Sequence, residues 1–417
     1  MKIVFVGTQL YRNLGGPSLL VSTCKVLRTY IPDAEFALLS PCPDEDSMIA
    51  RAYGVEIIGY RLREVYMSFL LCVVWSLLRK IGIEARFLLK NRIAEKFSHA
   101  TVVIDITGIS FTDYFPSVRG YIWQSARLLI GILLDKPVAK FTQDMGPFNN
   151  RINKYLARYV LNRLDFILAR SQVTKRYVEE LGVTRPVFVH PDTSFVLDPA
   201  PREQIAAIML VEKLDRRPLV GIVVSRQIDR RASLVEKLDK VSQNSYSIIM
   251  ARLADYLIEE KDALVVFIPN EIALPEAAGY DDLFVARKVC EIVNNKGMVR
   301  LLTKEYNAQE LKGLLKECDL VISSRYHSAI AALSTGTPCL VVGWGFKYTE
   351  PMELVGQDEY VFNFVGITFE EVREKVEALW HEREKIKEEL NARIPGIRES
   401  VLSGGKLVKD IIDSIGR

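Results

Sequence analysis

The chain has 417 residues, of which 49% are hydrophobic and 26% charged, with a net charge of +3. This length exceeds one ordinary core and predicts two domains, and the near balance of charge removes any demand for nucleic acid. Six cysteines without a CxxC pair and four scattered histidines without metal-ligand spacing argue against a disulfide scaffold or a metal centre.

The chain opens directly on a strand, which predicts no signal peptide and a cytoplasmic protein with reduced thiols. Apolar runs at Lys2–Val6, Glu35–Leu39, Glu56–Ile58, Thr101–Ile106, Val138–Phe141, Phe166–Ala169 and Val187–Val189 predict strands. Helical patterns between them cover 17–30, 62–97, 119–134, 150–163 and 171–181. Such alternation predicts a parallel sheet covered on both faces. Within 62–97 the stretch Val65–Leu78 is apolar, bracketed by Arg63, Glu64, Arg79 and Lys80. It is too short to span a bilayer and reads as a core helix; the alternative is a peripheral membrane contact at the inner face of the membrane.

Prolines and turn residues from Pro191 to Pro201 mark a boundary, giving a first Rossmann-like domain over 1–195 and a second over 202–396. In the second, strands are expected at Leu219–Val224, Leu264–Ile268, Val299–Leu302, Leu320–Ser323 and Cys339–Val342. Helices are expected at 244–260, 281–295, 307–317, 326–335 and 349–355. Glu370–Asn391 reads as a solvated outer helix, and Leu402–Ile415, within 397–417, as a last helix able to pack back on the first domain. The expected fold class is α/β, two doubly wound domains in a GT-B-like arrangement, with a ligand cleft between them at the carboxyl ends of both sheets.

The richest stretch runs from Cys318 to Lys347 and reads as strand, sharp junction, small-residue helix, turn and strand. Arg325 and His327 fall at the carboxyl end of the first of these strands, where open α/β sheets bind ligands. A cation at a helix start is unfavourable unless an anion sits there too, which points to an anion site. His327 suits acid–base work near neutral pH, although alone it reads as well as a first-turn histidine bonded to backbone. Lys347 follows a Gly-Trp-Gly-Phe loop aimed at the same place, a phosphate contact or a solvated lysine. In the first half, Asn13, Gly15 and Gly16 follow a strand and either let backbone approach a ligand or form an ordinary turn. Asp105, Asp113 and Asp144 lie at or after strand ends, as bases for a hydroxyl or as caps and turn residues. Arg170 and Arg226 each close a strand, and either binding or pairing is open for both.

Ser324, Arg325, His327, Ala332, Gly336, Pro338 and Lys347 together resemble the core motif of the polysaccharide pyruvyltransferase family. Asn13, Gly15 and Gly16 resemble its first loop, Gln143–Pro147 its Q-x-x-G-P turn, and Arg170, Ser171, Leu181, Gly182, Val183 and Asp192 a further segment. The chain departs from the pattern at Pro17 and Ser18, at a glycine cluster reduced to Gly108, and at Pro269, Asn270 and Glu271, where relatives often carry a histidine. The resemblance implies a transferase that places pyruvate from phosphoenolpyruvate on a sugar or lipid-linked glycan as a ketal, without a cofactor or metal. It implies His327 as proton donor, with Arg325, Lys347, Ser324, Arg170, Asn13, Gly15 and Gly16 around the donor. Two alternatives stand beside it: a GT-B glycosyltransferase using a nucleotide sugar, for which Glu350 and Asp358 nearly match a paired-glutamate motif, and an inactive membrane-peripheral scaffold of glycan assembly.

Overall fold

The computed structural model describes residues 1–215, 218–239, 246–272 and 281–415. The chain forms two compact units. The first comprises Met1–Tyr11, Leu19–Val196 and Glu399–Arg417; the second comprises Arg12–Ser18 and Leu197–Arg398.

In the first unit, β1 Lys2–Val6, β2 Glu35–Ser40, β3 Val55–Gly59, β4 Val102–Asp105, β5 Val138–Gln143, β6 Phe166–Ala169 and β7 Val187–Val189 form one sheet. Its order is β3-β2-β1-β4-β5-β6-β7, and every pairing is parallel. The central strands are buried along their length, which is why they read as unbroken apolar runs. In the second unit, β8 Leu219–Val223, β9 Leu264–Phe267, β10 Val299–Leu301, β11 Leu320–Ser323, β12 Cys339–Gly343 and β13 Val361–Asn363 form a parallel sheet of order β10-β9-β8-β11-β12-β13. Both units are therefore doubly wound, as the alternating pattern predicts.

Helices depart from expectation in three places. The span 62–97 is not one helix. It is α3 Leu62–Lys80, a 3₁₀ turn at Arg86–Leu89 and α4 Arg92–Ser98. Gly82 is left-handed (φ 80°), and its amide and that of Ile83 bond back to Arg79 and Leu78, closing the end of α3 as a glycine C-cap. At the other end of the chain, the two expected helices are one, α15 Phe369–Ile415, which continues through Pro395. Proline deletes one ladder bond and kinks a helix, but the packing of the buried Ile394 and Ile397 on either side carries it on. Third, α2 Pro43–Arg51, α8 Arg202–Val211, α9 Arg226–Asp239 and strand β13 were not expected; the proline and acidic first turn of α2 are a helix-start signal that also reads as a turn. The first two residues of the expected helix 244–260 lie outside the described residues, and α10 runs Tyr246–Lys261.

Helix α3 also corrects the core reading of Val65–Leu78. It buries Val65, Ser68 and Cys72 and packs on α4 and on α5 Val118–Leu133, with Tyr66 edge-on to Trp123. Its opposite face, carrying Met67, Leu70, Val74 and Leu77, is exposed. Val65→Ala is expected to cost about 2 kcal/mol of stability in urea unfolding, the price of a small cavity, whereas Leu70→Ala stays within about 0.5 kcal/mol. Equal losses from both would contradict the two-faced helix. All six cysteines are free, and Cys24, Cys72, Cys318 and Cys339 are buried. Among the described residues no helix is long and apolar enough to cross a membrane.

Candidate functional site

The site follows from the strand order of the second unit. Strands β8 and β11 are adjacent, and their crossovers leave in opposite directions. The loops after them therefore diverge and leave room for a ligand at their carboxyl ends. One loop carries Ser225 and Arg226, the other Ser324 to His327. Helix α13, Tyr326–Leu333, starts there, and Gly336 (φ 79°) ends its turn in a conformation other residues resist. The Ser323 hydroxyl donates to the Arg325 carbonyl (2.9 Å) and accepts from the Arg325 amide (3.2 Å), fixing the strand-to-helix bend. The Tyr246 hydroxyl accepts from the Ser225 amide (3.0 Å) and donates to Ser324 Oγ (2.7 Å), tying the two loops together. Burial pushes the Tyr246 hydroxyl well above the usual phenol range, so it remains a donor.

Arg325 is buried, and its anions come from the protein itself. Nη2 donates to Asp282 (2.5 Å) and Glu271 (2.7 Å). Asp282 also accepts from the amides of Arg226 (2.9 Å) and Glu271 (3.0 Å). Burial raises the Asp282 carboxyl above the ordinary range in spite of Arg325, because one guanidinium faces two carboxylates. Burial works against the charge of Arg325, but Asp282 and then Glu271 outweigh it and hold the guanidinium above its usual range. The cation at the helix start thus has internal partners on Nη2, while its buried Nε makes no hydrogen bond.

His327 lies against the chain's first loop. Asn13 bridges to Glu271 in antiparallel fashion, and the Leu14 amide donates to the Asn270 carbonyl (3.3 Å). The Asn13 side chain accepts from the Gly15 amide (2.9 Å), starting α1, Gly15–Tyr30, with Gly16 as its second residue. A methyl group on Gly15 would sit 2.5 Å from His327 Nδ1, so only glycine lets the ring take this position. The imidazole also meets the Tyr326 ring edge-on at 5.2 Å, and Nε2 is buried. Gly15→Ala is expected to lower turnover roughly tenfold by displacing the ring, with stability changed by less than about 1 kcal/mol. An unchanged kcat in that variant would mean the contact does not position His327.

Lys347 lies in a 3₁₀ turn after β12, its Nζ 4.3 Å from the ring centre of Trp344, 5.1 Å from Tyr348 and 5.8 Å from Tyr326. Arg231, on α9, stacks on the same Trp344 at 4.2 Å. Arg226 is drawn to Asp229 (2.6 Å). Ser324, Arg325, His327 and Lys347 are therefore gathered in the second unit with Asn13, Gly15 and Gly16.

Arg170 belongs to the first unit and pairs there with Asp144 and Asp192 and with the Gly108 carbonyl. Ser171 caps α7, Gln172–Glu180, accepting from the Thr174 amide. The first-unit aspartates are similarly engaged. Asp105 makes a fully buried ion pair with Lys140 (2.6 Å), and although burial opposes ionisation, Lys140 carries its carboxyl below the ordinary range. Asp113 accepts from the amides of Asn149 and Asn150 and from Asn153, the work of a loop cap. No group of three or more metal-ligating side chains occurs among the described residues.

Three participants were not picked out as site residues in the sequence. Glu271 showed only as the replacement of a histidine, Asp282 lay in an acidic helix start, and Arg231 lay on an unrecognised helix.

A family model described as polysaccharide pyruvyl transferase matches residues 13–345. The amylovoran biosynthesis protein AmsJ of Erwinia amylovora is 24% identical over 438 aligned positions, spanning 100% of both chains. Among solved structures, Anabaena HepE in complex with UDP superposes with a TM-score of 0.61 at 13% identity, over 99% of this chain and 100% of that one. The UDP-GlcNAc 2-epimerase of Neisseria meningitidis bound to UDP-GlcNAc gives 0.58 at 12% identity, over 98% and 99%. At such identities these structures speak to fold alone.

Proposed function

Because this chain belongs to the polysaccharide pyruvyl transferase family, we propose that it transfers pyruvate from phosphoenolpyruvate to a sugar as a ketal, acting in the assembly of a cell-surface glycan. The observation that carries this reading is the placing of Arg325 and His327 after β11 and of Lys347 after β12, at the carboxyl ends of adjacent strands, with the Gly15 turn against His327. The likeness to AmsJ across the whole chain supports a role in polysaccharide biosynthesis.

The residues suit the chemistry. His327 gives a proton to carbon 3 of the enol, leaving positive charge at carbon 2, and a sugar hydroxyl forms the first carbon–oxygen bond there. The carbon 2–phosphate bond then breaks, phosphate departs, and a second hydroxyl closes the ketal. Two hydroxyl protons are released in all; one replaces the proton given to carbon 3 and one leaves with phosphate. Lys347 and Arg325 supply the positive charge for the donor's carboxylate and phosphate and lower the cost of phosphate departure. Glu271, whose side chain is 29% exposed while Asp282 is buried, takes the hydroxyl proton. No step is routed through a metal or a cofactor.

Phosphate release from phosphoenolpyruvate, measured with lipid-linked and nucleotide-linked sugars as acceptors, tests this reading. Acceptor-dependent release supports it. Protection from heat by a nucleotide sugar but not by phosphoenolpyruvate would replace it with glycosyl transfer.

A further inference from the structure

We propose that the outer face of helices α3 and α6, Arg151–Leu161, docks on an anionic lipid bilayer. The observations lie in the first unit and do not depend on the reaction assigned to the second. On α3, Met67, Leu70, Val74, Leu77 and Ile81 recur at intervals of three and four residues and form one narrow stripe, each between 46% and 72% exposed. Ile83 and Phe87, just past the helix, extend it and are also exposed. Isolated exposed apolar side chains are ordinary, but a continuous helical stripe is not.

Charge specifies what covers it. Between residues 61 and 92 the chain carries seven arginines and lysines against two glutamates. Both glutamates are exposed: Glu64 accepts from the Arg61 amide and Glu84 pairs with Arg86, while Arg79 binds Asp135. Helix α5 packs on both α3 and α6, and its Ile122 is exposed. Helix α6 then presents Ile152, Tyr155 and Tyr159 on its exposed side, with Tyr155 and Tyr159 stacked at 6.5 Å. Along one side of these lie Arg151, Arg158 and Lys154, all exposed, and α6 has no acidic residue. An apolar stripe rimmed by cations, beside amphipathic tyrosines, matches the boundary between anionic headgroups and acyl chains. No described helix is long and apolar enough to cross a membrane, so the contact is peripheral.

The test is co-sedimentation of the full chain with phosphatidylcholine vesicles and with mixed phosphatidylcholine–phosphatidylglycerol vesicles. The expected result is roughly tenfold or stronger partitioning to the anionic vesicles, weakening with salt. Leu70→Ser combined with Leu77→Ser should lose about tenfold of that binding with an unchanged unfolding temperature, since both positions are already in water. Lys154→Glu with Arg158→Glu should lose as much. Failure of the wild type to sediment would overturn the proposal, as would equal binding to both vesicles or to all variants. A wild-type dimer in light scattering that becomes a monomer in the leucine variant would also overturn it, because the stripe would then be covered by a second copy.

Discussion

His327→Gln is expected to lower turnover by about 100- to 10,000-fold, the range over which a positioned general acid contributes, with affinity for phosphoenolpyruvate nearly unchanged. The geometry gives the reason. The imidazole lies against the Gly15 turn and meets the Tyr326 ring edge-on, with Nε2 buried. Glutamine fills similar space and can hydrogen-bond, but it has no proton to give at neutral pH. The deficit therefore belongs to the chemical step and appears in kcat, while calorimetric binding of phosphoenolpyruvate persists. Turnover at the wild-type level in this variant would reduce His327 to a packing residue.

Arg325→Met is expected to destabilise the fold by about 3–5 kcal/mol, because it leaves a buried carboxylate without its countercharge. Asp282 has no exposed side-chain surface, and Arg325 is its ion-pair partner. The pH dependence identifies the cause. Burial already holds the Asp282 carboxyl above the ordinary range. A group raised in this way favours the fold at pH values below its unfolded pKa, and that contribution is lost as pH rises through its folded pKa. Without Arg325 the pull toward ionisation is gone, so the deficit of the variant should be smallest in acid and grow as pH rises. Urea midpoints measured across the carboxylate range check this; a deficit independent of pH would place the loss in packing. Arg325→Lys keeps the charge but not the planar fork, and should fall between the variant and the wild type.

The sequence was most legible where local chemistry and the fold agree. Thirteen strands alternate with helices, and twelve of them were visible as apolar runs because parallel strands are buried on both faces. The cluster at Ser324–His327 was legible because a strand, a sharp junction and a small-residue helix are recorded in consecutive residues. Its partners were not. Glu271 and Asp282 meet Arg325 from 54 and 43 residues away. Nothing in one sequence records that pairing, so the arginine read as an anion receptor when much of its capacity is already used. Helix α3 misled for a different reason. Composition shows that a helix is apolar but not which face is covered, and here Met67, Leu70, Val74 and Leu77 face water. The long α15 read as two helices because Pro395 is a breaker by propensity, and tertiary context overrode it.

The central claim is that phosphoenolpyruvate is protonated at carbon 3 and captured at carbon 2 by two sugar hydroxyls. Its most direct measurement is turnover in heavy water with phosphoenolpyruvate and a lipid-linked sugar, followed by mass and nuclear magnetic resonance analysis of the product. The account predicts a sugar carrying a pyruvate ketal whose methyl group holds a single deuterium, formed together with one phosphate. A product bearing a transferred sugar, or a ketal methyl without deuterium, would contradict it.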